Sequence, residues 1–348
     1  MSLDSGGALG VYVLDVGQGD CTFVVGPGPD PEVLLFDCAD AFVARRFVED
    51  HEFDRIRCVL VSHLDQDHIK GIAPFIKWFV EEREGTLEAI RLDDDRAEHT
   101  QGAAELFAYA LELEKQGKVT LPAADRGDNP TIVVDGEGWH VELILPTHAL
   151  RLRARHEHAA PRPNLGSMAL RIVRGDTVVL VGGDAPLGAW EAIEGDLSKA
   201  QVFRVPHHGG NIDEGRREWN GYDDLYERVA PEHALISVGT KQPFPGTGRH
   251  PIPVHVGSMH MSQPRIVCTQ LTDRCHDVPL DLREEAMENV GAVGYDWRHR
   301  RAGATSEVPC AGSILVRLLE DGTLEVEPGP GGWHDSWIAQ LEHPCCRQ

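Results

Sequence analysis

The strongest constraint on this chain is the stretch from Cys58 to Ile72, CVLVSHLDQDHIKGI. It begins with an apolar run, Cys58 to Val61, whose length and β-branched content are typical of a buried strand. Apolar residues at helical spacing follow from Ile69 to about Arg83. Between the two lie four side chains of the kinds that bind metals: His63, Asp65, Asp67 and His68. The sequence therefore predicts a loop between a strand and a helix, where a rigid scaffold commonly holds a site.

The spacing within this loop favours metal binding. In extended backbone, residues 63, 65 and 67 point to one side, and His68 joins them if the chain turns there. Two imidazoles and two carboxylates suit one or two divalent metal ions. The alternative is a polar turn with chance histidines, but the buried strand before it and the partner motifs elsewhere favour a site.

Elsewhere in the chain, three more apolar runs lead into glycines and aspartate or histidine. They are Leu14 to Asp20 (LDVGQGD), Val181 to Asp184 (VGGD) and Val205 to Gly209 (VPHHG). Together with H-x-D-x-D-H at 63–68, and in the same order, they resemble the motifs of the metallo-β-lactamase superfamily. The aspartate in place of the second histidine is similar to the variant in ComEC-type DNA-uptake proteins. The resemblance covers roughly residues 9 to 325.

This resemblance implies an α+β fold, an αββα sandwich with two mixed β-sheets face to face, helices outside and metals at one edge. The 348 residues allow one or two domains, and the superfamily fold is itself one large domain. We therefore expect one hydrolase domain over residues 1–327, with an insertion at about 270–310 and a C-terminal tail over 328–348.

The resemblance also implies a dinuclear metal centre. Its ligands would be His63, Asp65, Asp67, His68, Asp184 and His207. His63 and Asp65 would hold one ion, Asp184 would lie between the two ions, and the remaining three would hold the second ion. Whether His207 or His208 is the ligand stays open, and the other of the two would stabilise or protonate a leaving group.

The first metal position lacks a histidine that most superfamily members have. The ComEC-like variant carries an Asn-x-x-Ser feature instead, here Asn164 and Ser167, and His148 is an alternative substitute. Such an oxygen-rich site suits manganese better than an all-imidazole site would. The expected cofactors are therefore two divalent ions, either zinc or manganese.

Two further groups of charged residues are candidates for supporting roles. Asp15, Asp20 and Asp37 lie near strand ends, where they would hydrogen-bond to ligands or only cap turns. Arg151, Arg153 and Arg155 form a basic cluster in an acidic chain, just before Asn164 and Ser167. We expect this cluster to bind a substrate phosphate; a solvated basic loop is the alternative.

The cysteines suggest a second, structural metal site. Cys21, Cys38 and Cys58 lie in apolar runs and are expected to be buried thiols. Cys268, Cys275, His276 and Cys310 border the insertion, although their spacing is not that of a standard zinc ribbon. They would hold zinc or remain reduced thiols. The tail ends in Cys345-Cys346 and would be partly disordered or pack back through Trp333 and Trp337.

The net charge and the distribution of apolar residues limit the kinds of partner that this protein is expected to bind. The formal net charge of -23 disfavours tight wrapping of nucleic acid, although metal ions dominate the potential in a small pocket. No run of about twenty apolar residues predicts a membrane span, and the first residues do not resemble a secretory signal. We expect a cytoplasmic protein, with the insertion as a possible surface for a protein partner.

Three functions fit these observations. The first is a phosphodiesterase or nuclease in which two metals activate water, with Asp67, His207 and His208 as its catalytic residues. The second is a thioester, lactone or amide hydrolase of the same fold. The third is a metal-binding interaction subunit of a multi-protein system, which the full ligand set disfavours.

Overall fold

The computed structural model describes residues 7–93, 100–127, 129–156, 163–193, 197, 200–215, 218–240, 250–291 and 307–346. The strands in these residues are β1 (Leu9–Val13), β2 (Cys21–Val25), β3 (Val33–Cys38), β4 (Arg55–Leu60), β5 (Thr86–Arg91), β6 (Thr131–Gly136), β7 (Trp139–Leu145), β8 (Ala169–Arg174), β9 (Thr177–Gly182), β10 (Val202–Arg204), β11 (His233–Ile236), β12 (Arg265–Cys268), β13 (Ile314–Leu318) and β14 (Leu324–Glu327). The α-helices there are α1 (Ala41–Asp50), α2 (Gln66–Ile69), α3 (Ile72–Lys77), α4 (Gln101–Lys115), α5 (His148–His156), α6 (Leu187–Glu191), α7 (Tyr222–Val229), α8 (Pro253–Ser262), α9 (Arg283–Gly291) and α10 (Trp333–Ile338).

The described strands form two seven-stranded mixed sheets. The first has the order β14-β13-β1-β2-β3-β4-β5, with β3, β4 and β5 parallel and the other neighbours antiparallel. The second has the order β12-β11-β10-β9-β8-β7-β6, with β9 to β12 parallel and the other neighbours antiparallel. Parallel strands place their carboxyl ends at one edge of a sheet, which gathers the loops that follow them.

Three apolar clusters define four layers. One cluster lies between the sheets and joins residues of the first, such as Phe36 and Leu60, to residues of the second, such as Leu143 and Val181. A second covers the outer face of the first sheet and includes α1, α3 and α4. A third covers the outer face of the second sheet and includes Trp190. The predicted αββα sandwich is therefore confirmed.

The helix predicted from Ile69 to about Arg83 is divided in the structure. α2 ends at Ile69, α3 begins at Ile72, and a wider π-helical turn covers Trp78–Glu82. The break allows Gly71 to approach the end of β3, where its N–H donates to the Cys38 carbonyl at 2.7 Å. A β-carbon on Gly71 would lie 2.5 Å from the Ala41 nitrogen.

The C-terminal segment packs on the second sheet. Trp337 is 2% exposed and belongs to the cluster beneath α6 and α7, together with Ile338 and Leu341. Of the two expectations for the tail, residues 328–346 follow the second and pack back. None of the helices in the described residues is long and apolar enough to cross a bilayer.

Two glycine substitutions test the close approach at Gly71. Gly71→Ala should lower the free energy of unfolding by about 1–3 kcal/mol, because the added methyl group meets backbone that cannot move independently. Gly257→Ala is the matched control: it lies exposed within α8, with no atom within 4 Å of the new carbon. It should raise stability by about 0.5–1 kcal/mol. Urea unfolding of both variants is the measurement, and equal effects would contradict the packing.

Candidate metal centre

Loops from both sheets meet at the carboxyl ends of their parallel strands. The loop after β4 supplies the residues of the 63–68 motif, and the turn after β9 supplies Asp184. β10 leads into a short 3-10 turn, Pro206–Gly209, that carries His207 and His208. The site predicted from four separate motifs therefore lies in one place in the fold.

One group of donor atoms surrounds the Oδ2 atom of Asp184. His63 Nε2 lies 3.6 Å from this oxygen and 3.4 Å from Asp65 Oδ2. His207 Nε2 lies 3.7 Å from the same Asp184 oxygen. Ligand atoms that share one metal at about 2.0–2.2 Å lie about 3–3.6 Å apart. The distances from His63 Nε2 to Asp65 and Asp184 therefore fit a common ion, and His207 lies just outside this range.

A second group faces the other oxygen of Asp184. His68 Nε2 lies 3.2 Å from Asp184 Oδ1, and His208 Nε2 lies 3.4 Å from Asp67 Oδ2. The sequence placed His207 in this group; the structure places His208 there and leaves His207 beside His63. Asp184 thus turns one oxygen toward each group, as a bridging carboxylate does.

The atoms that face the centre have no partners of their own. His63 Nε2, His68 Nε2, His208 Nε2 and Asp184 Oδ1 are buried, and the described residues offer them no hydrogen bond. Buried polar atoms are normally satisfied, and four inward lone pairs without a donor are the environment a cation needs. Asp20, His68, Asp184 and His208 each offer one such atom within 4.8 Å of the others.

The outer nitrogen of each imidazole is held by a neighbour. His68 Nδ1 lies 2.8 Å from Asp37 Oδ2, and His63 Nδ1 lies 3.0 Å from Ser62 Oγ. The Nδ1 atoms of the two later histidines lie near carbonyls: His208 is 2.8 Å from Ser237 O, and His207 is 2.9 Å from Asn211 O. An N–H at Nδ1 leaves the Nε2 lone pair directed inward, which is the tautomer that binds metals.

Two of the three predicted supporting acids contact the histidines. Asp37 accepts the Ser62 N–H at 2.7 Å through its second oxygen, with its own backbone in the left-handed region at φ 57°. Asp20 lies 3.5 Å from both His68 Nδ1 and His208 Nδ1, and it forms an ion pair with the buried Arg204.

Asp15 has a different role from the other two acids. Its Oδ1 accepts a hydrogen bond from Gln270 Nε2 at 3.0 Å and lies 3.4 Å from the Gly17 N–H. Its own N–H donates to Ser313 Oγ at 3.0 Å. These contacts hold the β1–β2 loop against the segment after β12, so Asp15 shapes the loop that carries Asp20.

The electrostatics of the pocket favour positive charge. Burial alone would lower the pKa of His68, but Asp184 and Asp37 outweigh it and raise the pKa well above its ordinary value. Burial alone would raise the pKa of Asp184, but His68 and His63 hold it well below its usual range. Carboxylates that stabilise a proton on His68 would also stabilise a divalent ion.

Close backbone packing positions Asp184. A β-carbon at Gly183 would lie 2.5 Å from both Ser167 Oγ and the β-carbon of Ser62. The Asp184 N–H donates to Ser167 Oγ at 2.9 Å. Of the predicted Asn164–Ser167 pair, Ser167 therefore helps to position Asp184, while buried Asn164 Oδ1 has no hydrogen-bond partner among the described residues.

The turn that carries the two later histidines is strained. His207 and His208 have φ of 53° and 54°, and each costs about 1–3 kcal/mol as a non-glycine residue in the left-handed region. His255 stabilises the turn from outside: its Nδ1 lies 2.9 Å from the Gly210 carbonyl, and its Nε2 lies 2.8 Å from the Tyr226 hydroxyl. Such strain is common at functional sites.

Part of the basic cluster forms ion pairs within the protein itself. Arg151 lies on α5, where its guanidinium makes 3.1 Å ion pairs with Asp93 and Asp125. His148, the alternative ligand, lies 3.4 Å from Asp125 with its side chain 61% exposed. Arg153 is partly exposed on the same helix. The Arg155 side chain lies outside the described residues.

Two residues near the site were missed from the sequence. Arg204 lies within the apolar run of β10, and a charge there could have signalled a buried partner. His250 packs its ring 5.2 Å from that of His207. Burial, with His208 and His207 nearby, lowers the pKa of His250 to about 4. No local pattern distinguishes His250 from the other histidines of the chain.

Comparisons with solved structures return proteins of one fold. The metallo-β-lactamase fold protein YhfI from Bacillus subtilis is 14% identical, with 75% of this chain and 96% of that chain covered and a TM-score of 0.43. The short form of human tRNase Z is 12% identical, with 67% and 93% covered and a TM-score of 0.40. Zn(2+)-bound PqqB from Methylobacterium extorquens is 10% identical, with 71% and 85% covered and a TM-score of 0.40.

No protein-family model matches the chain, and the comparison with curated proteins gives no match. The function is therefore argued from the residues of the site.

Asp37→Asn tests the support of His68. The amide can still accept the Ser62 N–H, but its NH2 group would face His68 Nδ1 and move the imidazole proton to Nε2. Affinity for a divalent ion should fall about 10–100-fold, measured by competition with a chromophoric chelator. Asp135→Asn, exposed on β6, is the control and should leave affinity unchanged. Equal affinities of the Asp37 variant and the unsubstituted protein would exclude this role.

Proposed function

We propose that this protein is a metal-dependent hydrolase that binds two divalent ions on either side of Asp184. The observation that carries the proposal is the division of ligands between the two Asp184 oxygens. His63 and Asp65 lie on the Oδ2 side, with His207 just beyond them at the opening, and His68 lies on the Oδ1 side with Asp67 and His208.

The charge of the site supports two ions rather than one. Five carboxylates surround the histidines: Asp20, Asp37, Asp65, Asp67 and Asp184. Within the part of the chain that the structure describes, Arg204 is the buried guanidinium paired with them, through Asp20. With neutral histidines, five negative charges against one positive charge leave four, which two divalent cations would neutralise. Uncompensated buried charge is costly, so the fold itself favours this occupancy.

The ligand set fits hydrolysis without a protein nucleophile. Two bound ions would supply a water of lowered pKa and polarise the oxygen of the attacked group. The exposed side of the site carries Asp65, Asp67 and His207, whose side chains are 50%, 32% and 26% exposed. Substrate would therefore enter past these three residues.

His207 is placed to handle a proton at this opening. Its Nδ1–H donates to the Asn211 carbonyl, which fixes the ring with Nε2 toward the site. A proton on Nε2 would be available to a departing oxygen. His208 is fully buried beside Asp67 and is better suited to binding a metal.

The proposed metal is zinc or manganese. Each side combines imidazole with carboxylate, and both ions accept such a mixed set. The three carboxylates among the ligands make the site richer in oxygen than an all-histidine centre.

We propose a phosphodiester as the substrate. The resemblance of the motifs to ComEC-type domains supports it, and so does the basic helix α5 beside the Pro163–Gly166 turn that precedes Ser167. The engagement of Arg151 with two aspartates leaves fewer positive charges for a phosphate than the sequence implied. That observation, with the net charge of -23, favours an uncharged lactone or thioester as the second candidate.

Asp184→Ala tests the two-metal hydrolase. The variant should bind at most one ion at this site, because no other side chain of the described residues lies between the two ligand groups. Hydrolysis should fall to the background of metal-free protein. Asp176→Ala, at the exposed β8–β9 turn, should retain both metals and activity. Metal analysis and a screen with bis-p-nitrophenyl phosphate, single-stranded DNA and a lactone measure this, and unchanged metal content in Asp184→Ala would refute the proposal.

An Arg153→Ala, Arg155→Ala double variant tests the substrate class while keeping the Arg151 ion pairs. Loss of one charge-assisted contact costs about 1.5–3 kcal/mol, so kcat/KM for a phosphodiester should fall more than about tenfold. Hydrolysis of an uncharged lactone should be unaffected. Equal losses on both substrates would assign these arginines to the fold, and no loss on either would remove them from substrate binding.

A further inference from the structure

A second cluster of metal-binding side chains lies away from the aspartates of the first site, where the C-terminal segment meets the end of β12. Its sulfur atoms come from three separate parts of the chain. The members are Cys268, Cys275, Cys310, Cys345, Cys346 and His334. Cys268, Cys275, Cys310 and His334 are at most 1% exposed.

The sulfur atoms lie at the spacing of ligands around one metal. Cys345 Sγ lies 3.5 Å from Cys268 Sγ and 3.2 Å from Cys275 Sγ. Cys346 Sγ lies 3.3 Å from Cys268 Sγ. Thiolates at the 2.3 Å zinc–sulfur distance of a tetrahedral site lie about 3.7 Å apart. The cluster is therefore only slightly more compact than a zinc site.

Nitrogen completes the donor set. His334 Nε2 lies 3.3 Å from Cys310 Sγ. Two triads of donor atoms, each within 4.8 Å of one another, can be drawn: Cys268, Cys345 and Cys346, and Cys310, His334 and Cys346. Cys346 belongs to both, so it would be a ligand whichever triad is used.

The chemistry of this cluster differs from that of the first site. Its cysteines are all unpaired, at separations well beyond the 2.05 Å of a disulfide. The thiolate is the form that binds metals, and thiolate with imidazole selects zinc among common divalent ions.

We infer that this cluster is a structural zinc centre that fastens the C-terminal segment to the second sheet. The set differs from the one expected from sequence. Cys268 and Cys310 each belong to one triad, and Cys275 lies outside both but has its Sγ 3.2 Å from Cys345 Sγ. His276 instead lies 3.4 Å from Glu342. Cys345, Cys346 and His334 take part instead.

The position of the cluster explains what the zinc would stabilise. Cys310 N–H donates to the Thr269 carbonyl at 2.9 Å, and Cys275 O accepts the His343 N–H at 3.1 Å. The ion would join the end of β12, the segment after it, the residues before β13 and the chain terminus. One ion bound by donors from these segments would cross-link them, and its binding free energy would add to the stability of the fold.

Cobalt substitution of the unmodified full-length protein tests the inference without a mutation. Cobalt bound by thiolates gives a sulfur-to-metal charge-transfer absorption in the near ultraviolet, which the histidine and aspartate ligands of the first site cannot give. We expect this band. Its absence from protein that has taken up cobalt would overturn the inference.

Variants then locate the ion. In the Asp184→Ala background, Cys268→Ser with Cys346→Ser should lower the zinc content by one ion per chain and remove the band, because neither triad of donors stays complete. Cys58→Ala, a buried cysteine of the inter-sheet core, is the control and should keep both. Loss of zinc from the soluble double variant, with retention by the control, would place the ion at this cluster. If the double variant fails to fold, the cobalt spectrum of the unsubstituted protein still decides.

Alkylation distinguishes a zinc centre from a disulfide at the same cysteines. Zinc-bound thiols should resist alkylation until a chelator is added, and after chelation and denaturation all eight cysteines should react without a reductant. A requirement for reductant would show a disulfide and refute the zinc centre. Retention of zinc by the double variant would refute it equally. None of these results depends on hydrolase activity, so the first site and this one can fail separately.

Discussion

Negative charge gathered at the ends of the parallel strands is the constraint on which this structure depends. Asp184 is buried where the two sheets meet, with aspartates on either side. The negative charge of such a buried group must be neutralised. The histidines face Asp184 through nitrogen atoms that have no other partner among the described residues. A fold with this arrangement has its lowest free energy when cations lie between those groups.

The same contacts join the two sheets. His68 and Asp37 come from the first sheet, and Asp184 and His208 come from the second. The Ser237 hydroxyl donates to the Gly19 carbonyl at 2.7 Å, while the Ser237 carbonyl holds His208 Nδ1. Ions at this position would therefore act as cross-links between the sheets as well as reactive centres, and they would offset the mutual repulsion of the carboxylates.

The sequence predicts this site well where ligands follow one another along a strand end. Residues 63 to 68 are close in sequence, so local geometry places them together, and the αββα sandwich is implied by the family resemblance of the motifs. The assignment of His207 and His208 could not be made in this way. Both adopt left-handed backbone, which rotates adjacent side chains to different sides of Asp184. That conformation is maintained by His255 and Tyr226, far away in sequence.

Long-range contacts also explain the other differences. Nothing near Arg151 predicts its two aspartate partners, and nothing near Cys268 predicts that the chain terminus brings Cys345 beside it. Helices α5 and α10 are stabilised by packing on the second sheet, since Leu150, Ala154, Trp337 and Ile338 belong to its outer apolar cluster. Clusters of charged or sulfur-containing side chains that come from distant segments can be identified only from the structure.

The most direct measurement of the central claim is anomalous X-ray scattering at the metal edge from crystals of the reconstituted protein. The account predicts two peaks at the end of the strands, one on each side of the Asp184 carboxylate, about 3.5–4 Å apart as in other two-metal sites. One should lie beside His63 and the other beside His68 and His208. A single peak, or two peaks that do not share Asp184, would contradict the account.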